Sequence, residues 1–463
     1  MLTYSIDRNR KAMYLSLYDC IRKDIISGTI KAGDRLPSKR SFAQHLGVSV
    51  ITVENAYACL ISEGYIESRE KKGYFAAKIM TVPEPVKTEN NFQLPENRAY
   101  KIDLRSGSVD TRHFPVSVWN RISRKVITER EGAILLRCPG TGTPELRSAI
   151  ADYLRRNKGV DVSPDCILIG AGTDVLLNIL VRLLGAYRIF GVEDPGYRKI
   201  TAVYRSSGVR CIPLPSDGEG ISMEALLQSP VQALHISPNH QYPTGRVTSA
   251  GRRFELLKWA AENPDRYIIE DDYDSELRFD AKPLGSMLSE DRRGSVIYLN
   301  TFSRTISPGL RIGYLVLPSR LMTEFAERFR DLSCTVSTFE QLSLAEFIAG
   351  GYYERYIGKM RRIYRQRREM MFRRIAEKGL ERFAQIREET AGLHFLLKMN
   401  TPLSEDEIRM RAEEQGIGVS FLSECCNFHR EETARYLIVN YAGLNPEDDA
   451  AVIDFFLSVA EPI

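Results

Sequence analysis

Polar residues that could hold an anion follow two apolar runs of the chain. Gly172 and Thr173 come after the run CILIGA, and the segment TDVLLNILVRLL has apolar residues at helical spacing. Backbone N–H groups at the start of such a helix favour a phosphate. Further along, LNTFSRTISPGLRIG contributes the hydroxyls of Thr301 and Ser303 and the guanidinium of Arg311, which suit the same group. The sequence therefore predicts that these residues bind a phosphate.

A carboxylate and two aromatic side chains stand at comparable positions. Asp271 and Tyr273 follow the run RYII in the sequence and lie two residues apart, so a strand would direct both side chains to one face. Tyr197 follows the turn DPG, and SPNHQYPTG at 237–245 is a second polar loop. Ligands of parallel sheets collect at loops beyond the carboxyl ends of the strands. We therefore expect these residues to surround one ligand.

Short apolar runs alternate with longer helical segments over residues 102–463, here called the body. The runs that indicate buried strands are CILIGAG, YRIFGVE, VQALHIS, RYIIEDD, SVIYLN and IGYLVLP. Most of them have a segment of helical period before or after them. This pattern is typical of an α/β fold with a mostly parallel sheet.

Residues 1–78, here called the head, have the pattern of a winged helix-turn-helix. Helical spacing runs through YLSLYDCIRKDII, SFAQHL and VITVENAYACL, and Gly28 and Gly47 end the first two helices. Two short helices joined by a turn with glycine form a helix-turn-helix. The runs YIES and GYFA then predict two strands joined by a charged wing. Residues 1–80 hold thirteen Lys and Arg against eight Asp and Glu, whereas the whole chain has a net charge of +4, so the positive excess lies here.

The string GDRLPSKRSFAQHLGVS…TVENAYACLISEGYIES resembles the GntR-type winged helix. The resemblance implies DNA contacts at the starts of two helices and on the wing, by Ser38, Arg40, Ser49, Thr52, Lys72 and Gly73. Val50 and Glu54 stand where this family often has arginine, the usual bidentate reader of guanine, so we expect a different or weaker base code. Val50 could instead meet a thymine methyl. Alternatively, Arg40 forms a salt bridge that caps its own helix, and Lys72 belongs to a solvated hairpin tip.

The body resembles the fold-type I aminotransferases, in the version that is fused to a GntR head and called the MocR or GabR-like family. The resemblance covers nearly the whole chain and includes IDLRSG…FP, GTGTPELRSAIADYL and AGLHFLL. It implies that the α/β body has a large part at about 102–330. It also implies a smaller C-terminal α+β part at 331–463.

By the same resemblance the cofactor is pyridoxal 5′-phosphate. The implied contacts are Gly172, Thr173, Tyr197, Asp271, Tyr273, Thr301, Ser303, Arg304 and Arg311. Thr173 and Arg311 would hold the phosphate, Tyr197 would stack on the ring, and Tyr273 would bond its phenolic oxygen. Asp271 would keep the ring nitrogen protonated, which makes the ring an electron sink. Alternatively, Asp271 only bonds a loop at a strand end, and Tyr197 is a packed aromatic.

One residue departs from the chemistry of this family. The aminotransferases need a lysine, in the string TFSKT, that forms a Schiff base with the cofactor, whereas this chain has Arg304 in TFSRT. A guanidinium stays protonated and offers no nucleophilic amine. No lysine occurs between Lys282 and Lys359. Ile438 stands where active aminotransferases have the arginine that binds the substrate carboxylate, and Arg137 where the family often has tyrosine. We therefore predict no catalytic residue and no transamination.

Three states of the pocket stay open. It binds pyridoxal phosphate without a covalent bond, it binds another anionic ligand such as an amino-acid adduct or the pyridoxamine form, or it is empty in a body that serves as a dimerisation scaffold. Arg304 could also be an engineered replacement. The main prediction is a homodimeric, DNA-binding transcription regulator with a small-molecule effector. The rival is a working aminotransferase fused to a DNA-binding head.

The remaining sequence narrows the class of protein. Residues 79–101 combine prolines with polar residues and predict a semi-extended linker. No apolar run reaches the length of about 18 residues that suggests a membrane span, and the start lacks the apolar core of a secretory signal. Eight cysteines without CxxC spacing and six histidines without zinc-ligand spacing predict a cytoplasmic protein with reduced thiols and no metal site.

Overall fold

The computed structural model describes residues 2–4, 12–79, 99–105, 107, 109–279, 285–387, 392–428 and 431–461. The chain divides into two units, Met1–Asn97 and Arg98–Ile463, which contain the head and the body respectively. Most of the predicted linker, residues 80–98, lies outside the described residues.

The head is a winged helix-turn-helix. Its helices are α1 (Met13–Ile26), α2 (Lys39–Leu46) and α3 (Val50–Ser62), and its strands are β1 (Arg35–Leu36), β2 (Ile66–Arg69) and β3 (Gly73–Ala76). Strand β3 lies between β1 and β2 in an antiparallel sheet. Gly47 ends α2 in the left-handed region, with φ of 65°, which any side chain with a Cβ adopts less readily. Leu17, Phe42 and Tyr57 pack together in the core of this unit.

A seven-stranded sheet forms the centre of the body. Its strands are β5 (Ile167–Gly170), β6 (Ile189–Asp194), β7 (Arg210–Pro215), β8 (Ala233–Ile236), β9 (Tyr267–Asp271), β10 (Val296–Thr301) and β11 (Gly313–Val316). Their order is β5-β11-β10-β9-β8-β6-β7. All neighbours are parallel except that β11 pairs antiparallel with both β10 and β5. The mostly parallel α/β sheet predicted from the sequence is therefore confirmed.

Helices cover both faces of this sheet. The helices of the body are α4 (Val116–Glu129), α5 (Glu131–Ile134), α6 (Pro144–Lys158), α7 (Thr173–Leu184), α8 (Arg198–Ser206), α9 (Met223–Leu227), α10 (Ala250–Ala261), α11 (Met287–Glu290), α12 (Ser319–Arg328), α13 (Thr338–Ala349), α14 (Tyr352–Lys378), α15 (Glu405–Glu414) and α16 (Asp449–Ser458). Leu176 of α7 and Leu321 of α12 pack with Leu315 of the sheet in one apolar cluster. Leu146 of α6 and Phe347 of α13 belong to the cluster on the other side. The apolar strands are buried because both of their faces are covered.

The C-terminal part of the body is α+β. Strands β12 (Ala384–Arg387), β13 (His394–Met399) and β15 (Tyr436–Asn440) form an antiparallel sheet in that order. Two further short strands, β4 (Ile102–Asp103) and β14 (Ile417–Gly418), pair in parallel. The first strand of the body therefore belongs with its C-terminal part.

Helix α13, which follows the predicted boundary at about residue 330, packs against the large part of the body. Helix α13 lies after that position, but the ring of Phe347 is 5.7 Å from Trp119 of α4 and 6.0 Å from Phe114, measured between ring centroids. These contacts attach α13 to the large part. We therefore propose that the smaller part begins after Ala349 rather than at 331.

Candidate functional site

A pocket opens where the carboxyl ends of β6, β8, β9 and β10 meet the start of α7. Eight of the residues selected from the sequence line it: Thr173, Tyr197, Asp271, Tyr273, Thr301, Ser303, Arg304 and Arg311. The ninth, Gly172, borders it through Arg311, because a Cβ on Gly172 would lie 2.8 Å from a guanidinium nitrogen of that arginine. Segments more than a hundred residues apart therefore meet at one edge of the sheet, as expected for this fold class.

The corner at the start of α7 holds alternating charges. The Arg311 guanidinium lies 3.2 Å from the Asp174 carboxylate, and the Lys199 amine lies 2.8 Å from its other oxygen. Although burial acts in the opposite direction, the two cations hold the pKa of Asp174 below its ordinary value. Two cations face one carboxylate, so the corner keeps a net positive charge beside the free N–H groups of a helix start.

Two hydroxyls extend this corner. Strand β10 ends at Thr301, whose hydroxyl donates to the Ser303 oxygen at 3.0 Å. The backbone N–H of Ser303 lies 3.2 Å from the Thr301 oxygen. This tight turn keeps both hydroxyls on the pocket wall. The Thr301 proton is donated to Ser303, which leaves the Ser303 proton to donate to an anion.

A hydrogen-bonded chain runs under the pocket from Asp271. The His235 ring bonds the Asp271 carboxylate through Nε2 at 3.3 Å and the Tyr204 hydroxyl through Nδ1 at 2.8 Å. Burial raises the pKa of Tyr204 well above its ordinary value, so its hydroxyl keeps the proton and can donate to Nδ1. The tautomer with its proton on Nε2 then donates to Asp271, which fixes the orientation of the carboxylate.

The aromatic residues of the pocket differ in their freedom. Tyr197 is 42% exposed and contacts only the edge of Tyr242 among the described aromatic rings, with centroids 5.2 Å apart. Tyr273 is more restricted, because its hydroxyl lies 2.9 Å from Nδ1 of His240. A ring stacked on Tyr197 needs no rearrangement, whereas a ligand oxygen at Tyr273 shares that hydroxyl with His240.

The sequence analysis missed a half-buried carboxyl in the pocket wall. Glu193, at the end of β6, lines the pocket and accepts the backbone N–H of Ser237 at 3.1 Å. Burial raises its pKa to about 8, and the nearby Asp271 adds to the increase. Glu193 is therefore protonated and neutral at pH 7 and can donate a hydrogen bond. Glu193 follows an apolar run of the sequence, as Asp271 does, and this pattern could have identified it as a candidate pocket residue.

Arg304 is the half-buried cation of the pocket wall. Its guanidinium lies 6.0 Å from the centroid of the Tyr273 ring. It lines the main pocket and also a small cavity behind it, next to His394 and Asn440. Within the part of the chain that the structure describes, Arg304 forms no hydrogen bond or ion pair.

The predicted DNA-contact residues of the head divide into caps and exposed cations. Ser38 caps α2 by accepting the Ser41 N–H at 3.3 Å, and Ser49 caps α3 by accepting the Thr52 N–H at 3.1 Å. Thr52 itself is only 8% exposed, and its hydroxyl lies 2.8 Å from that of Ser49. The DNA contact of Thr52 stays a prediction, and its side chain also serves the cap of α3.

The cations of the head lie on its surface. Arg40 and Lys72 are exposed, and neither forms an ion pair with any described residue. The alternative in which Arg40 caps its own helix through a salt bridge therefore has no support there. Lys39 instead pairs with Glu54 at 2.6 Å, so the acidic residue of α3 is already bound. Gly73 opens β3 with φ of 108°, and a Cβ there would lie 3.4 Å from the Arg35 guanidinium, which favours glycine.

The first turn of α3 presents apolar side chains. Val50 is 42% exposed and Ile51 is 67% exposed. Both stand beside the Ser49 cap, on the helix that enters the major groove in this motif. Their chemistry suits a thymine methyl better than a hydrogen-bonding base edge.

Two family models match the chain. The model for bacterial regulatory proteins of the gntR family matches residues 13–75, and the model for class I and II aminotransferases matches residues 99–447. The described part of the chain has no helix that is both long enough and apolar enough to cross a bilayer.

Several bacterial regulators are similar along most of their length. An uncharacterized HTH-type transcriptional regulator of Bacillus subtilis, YdeL, is 35% identical over 94% of both chains. The probable rhizopine catabolism regulatory protein MocR of Rhizobium meliloti is 33% identical over 94% of this chain and 91% of its own. The pyridoxine biosynthesis transcriptional regulator PdxR of Corynebacterium glutamicum is 32% identical over 88% of this chain and 87% of its own.

Solved aminotransferases share the fold of the body. A kynurenine aminotransferase from Pyrococcus horikoshii superposes with a TM-score of 0.67 at 24% identity, over 78% of this chain and 92% of its own. An archaeal alanine:glyoxylate aminotransferase superposes with a TM-score of 0.68 at 23% identity, over 77% of this chain and 90% of its own. At these identities the likeness shows the fold alone.

Proposed function

The chain belongs to the MocR-type family of transcriptional regulators, in which a GntR winged helix precedes a class I and II aminotransferase domain, and we propose that its body senses a small ligand without transaminating it. The ligand that the pocket supports best is a phosphorylated pyridine such as pyridoxal 5′-phosphate, held without a covalent bond. The output is a change in how the head binds DNA.

The charges of the pocket support a phosphorylated ring. Arg311 and Lys199 share one carboxylate, so their corner can accept a phosphate dianion together with the Thr173 N–H and the hydroxyl of Ser303. Asp271 lies in the same pocket. When bound, pyridoxal phosphate supplies an electron-withdrawing ring and a reactive aldehyde. The name of the relative that regulates pyridoxine biosynthesis agrees with a ligand of this class.

Arg304 carries the proposal that the body is not an enzyme. It lines the pocket. By the resemblance of TFSRT to the family's TFSKT it takes the place of the lysine, and its guanidinium cannot act as the nucleophile. The neighbouring residues bind, orient and shield a ligand, but none of the described pocket residues except Lys199 has an amine. Lys199 is held by Asp174 on the phosphate side.

The regulatory arrangement that we propose is a homodimer. The bodies pair, and the two heads bind two half-sites or repeats of an operator. A ligand in the body changes DNA binding only if it has different affinities for at least two arrangements of the protein. A scaffold without a ligand is the alternative, in which vitamers and amino acids leave DNA affinity unchanged.

The test is a titration of the full-length protein with pyridoxal phosphate, followed by calorimetry and absorbance. Arg304→Lys restores the family's amine, and Arg362→Lys on the exposed surface of α14 is the matched control. We expect saturable binding by all three proteins. Only Arg304→Lys should gain mass after borohydride reduction, because only its pocket can form a reducible covalent bond.

Two outcomes would contradict the proposal. A covalent adduct or transamination by the unmodified protein would favour the rival aminotransferase. Binding by none of the three proteins would remove the ligand from the function and leave a DNA-binding scaffold.

A further inference from the structure

The guanidinium of Arg304 is the cation of the pocket for which the described residues provide no anion. Arg311 and Lys199, the other two cations that line the pocket, both contact the Asp174 carboxylate. Arg304 forms no ion pair with a described residue, and its guanidinium lies 6.0 Å from the centroid of the Tyr273 ring. A half-buried charge without a partner is costly, because it has lost part of its water without gaining an ion pair. Arg304 is therefore poised to bind an anion that the ligand supplies.

No described carboxylate lies within 4 Å of the Arg304 guanidinium, although Asp271 lines the same pocket and Asp274 lines the small cavity behind it. Asp271 is bonded by His235 at 3.3 Å, and Asp274 is bonded by His240 at 2.8 Å. Burial raises the pKa of Tyr273 well above its ordinary value, so its hydroxyl is not a phenolate.

The histidine beside Arg304 adds no charge. Burial and the neighbouring His240 lower the pKa of His394 to about 4, so its ring is neutral at pH 7. The Nε2 atom of His394 lies 2.9 Å from the Pro243 carbonyl oxygen. The positive charge at this end of the pocket is thus that of Arg304.

The surroundings limit the size of the group that faces Arg304. The cavity behind it, lined by Tyr242, Leu393, His394 and Asn440 among others, has a volume of about 10 Å³, which is about that of one water position. Beside it, Tyr242 packs with Leu396 and Ile438 in an apolar cluster against Tyr273. The space suits a small group attached directly to a ring. It offers no second cation for the carboxylate of an attached amino acid.

We propose that the preferred ligand is a phosphorylated pyridine with a carboxylate on the ring, held at two ends. Its phosphate binds the corner of Arg311, and its carboxylate binds Arg304 where related enzymes form a covalent bond. This inference rests on the proposed function, because it takes the phosphate corner as given. In this proposal Arg304 recognises the ligand through an ion pair with its carboxylate, not through a reaction with an aldehyde.

Three vitamers differ in the charge of the group that would face Arg304. 4-Pyridoxic acid 5′-phosphate has a carboxylate, pyridoxal 5′-phosphate an uncharged aldehyde, and pyridoxamine 5′-phosphate an ammonium. Calorimetric titration of the full-length protein is expected to give affinities in that order. Each step should be about ten-fold or more, the range of a hydrogen-bonded charge pair.

Arg304→Gln keeps a polar but shorter side chain and removes the charge, and Arg362→Gln is the matched surface control. We expect the three affinities to fall within about three-fold of each other in Arg304→Gln and to keep their spread in the control. Equal binding of the three ligands by the unmodified protein would overturn this inference and leave the proposed function intact. A preference that persists in Arg304→Gln, or tighter binding of an N-phosphopyridoxyl amino acid, would also overturn it. Binding of none of the ligands would overturn the proposed function as well.

Discussion

The predicted DNA-binding face of the head and the proposed ligand pocket of the body both contain an arginine, but they balance its charge differently. Arg40 and Lys72 are exposed to solvent and form no ion pair with any residue that the structure describes. Arg311 of the pocket is tied to Asp174, which also holds Lys199. An exposed cation attracts any phosphate regardless of the DNA sequence, and added salt weakens this attraction. A cation fixed by a carboxylate contributes orientation, so it suits a small ligand that binds in one pose.

The same contrast separates the ion pairs that stabilise the two units. In the head, Lys39 and Glu54 meet at 2.6 Å on the surface. In the body, Lys158 is buried, contacts Asp272, and lies 3.0 Å from Glu276. Burial acts to lower the pKa of Lys158, but the two carboxylates raise it well above its ordinary value. The buried charge of Lys158 therefore contributes to the stability of the body, whereas the exposed pair of the head contributes little.

Lys158→Met is expected to have the largest effect on stability. It leaves two buried carboxylates without their cation, which costs about 3–5 kcal/mol in comparable cases. Lys39→Met removes an exposed pair, for which about 0–1 kcal/mol is typical. Both tryptophans of the chain, Trp119 and Trp259, lie in the body, so urea unfolding followed by their fluorescence reports that unit.

Scanning calorimetry of both variants would report the head as well. Equal destabilisation by Lys158→Met and Lys39→Met would break the contrast between buried and exposed pairs. An unchanged urea midpoint in Lys158→Met would show that Asp272 and Glu276 do not need the lysine.

The stability of the body should also fall as the pH rises from about 5 to 9. The pKa of Glu193 is raised to about 8 in the folded protein, so the stability that its protonated form contributes is complete below its ordinary pKa and is lost through pH 8. One pKa unit corresponds to about 1.4 kcal/mol, so the loss is expected to reach about 2–4 kcal/mol. Glu270, with a pKa of about 7 raised by burial, contributes with the same sign.

Glu193→Gln separates the contribution of Glu193 to the pH dependence of stability from that of Glu270. Its amide resembles the protonated carboxyl, so the variant should be more stable than the unmodified protein at pH 9 and similar to it at pH 5. Glu327→Gln, at an exposed position on α12, is the control. Parallel pH profiles of the unmodified protein and Glu193→Gln would show that this carboxyl is not held protonated.

The sheet and most of the pocket could be predicted because they depend on local patterns. Six apolar runs became β5, β6, β8, β9, β10 and β11, and the polar residues behind them meet at one edge. The edge strand β7 was missed, because Pro213 and Pro215 interrupt a run that is apolar only in part. Proline is tolerated there because an edge strand has one unpaired side.

The pairing of side chains could not be predicted from those patterns. Nothing in the sequence spacing of Asp174 and Arg311 shows that they meet. Asp174 lies on α7 and Arg311 follows β10 in the sequence, and only the order of strands in the sheet brings them together. Thr52 illustrates the same limit in the head: the resemblance implies a DNA contact there, but no sequence pattern shows that only 8% of the residue is exposed or that its hydroxyl lies 2.8 Å from that of Ser49. Burial of a single position depends on tertiary packing, which a local pattern does not record.

The smallest expected effect concerns one exposed cation of the head. Arg40→Ala should weaken binding of the full-length protein to a duplex selected from a random library by about ten-fold, since it removes one contact to phosphate or base. Fluorescence anisotropy at several salt concentrations measures both the affinity and its salt dependence. If Arg40 binds phosphate, the slope of log affinity against log salt should fall by about one.

Lys39→Ala is the matched control, because Lys39 neighbours Arg40 but is neutralised by Glu54. We expect it to change the affinity less than Arg40→Ala and to leave the salt slope almost unchanged. Equal effects of the two variants would mean that pairing with Glu54 does not withhold Lys39 from DNA. The head would then balance its charges no differently from the pocket. A loss of affinity in Arg40→Ala without a change of slope would instead assign Arg40 to a base edge, where its contribution depends on sequence rather than on salt.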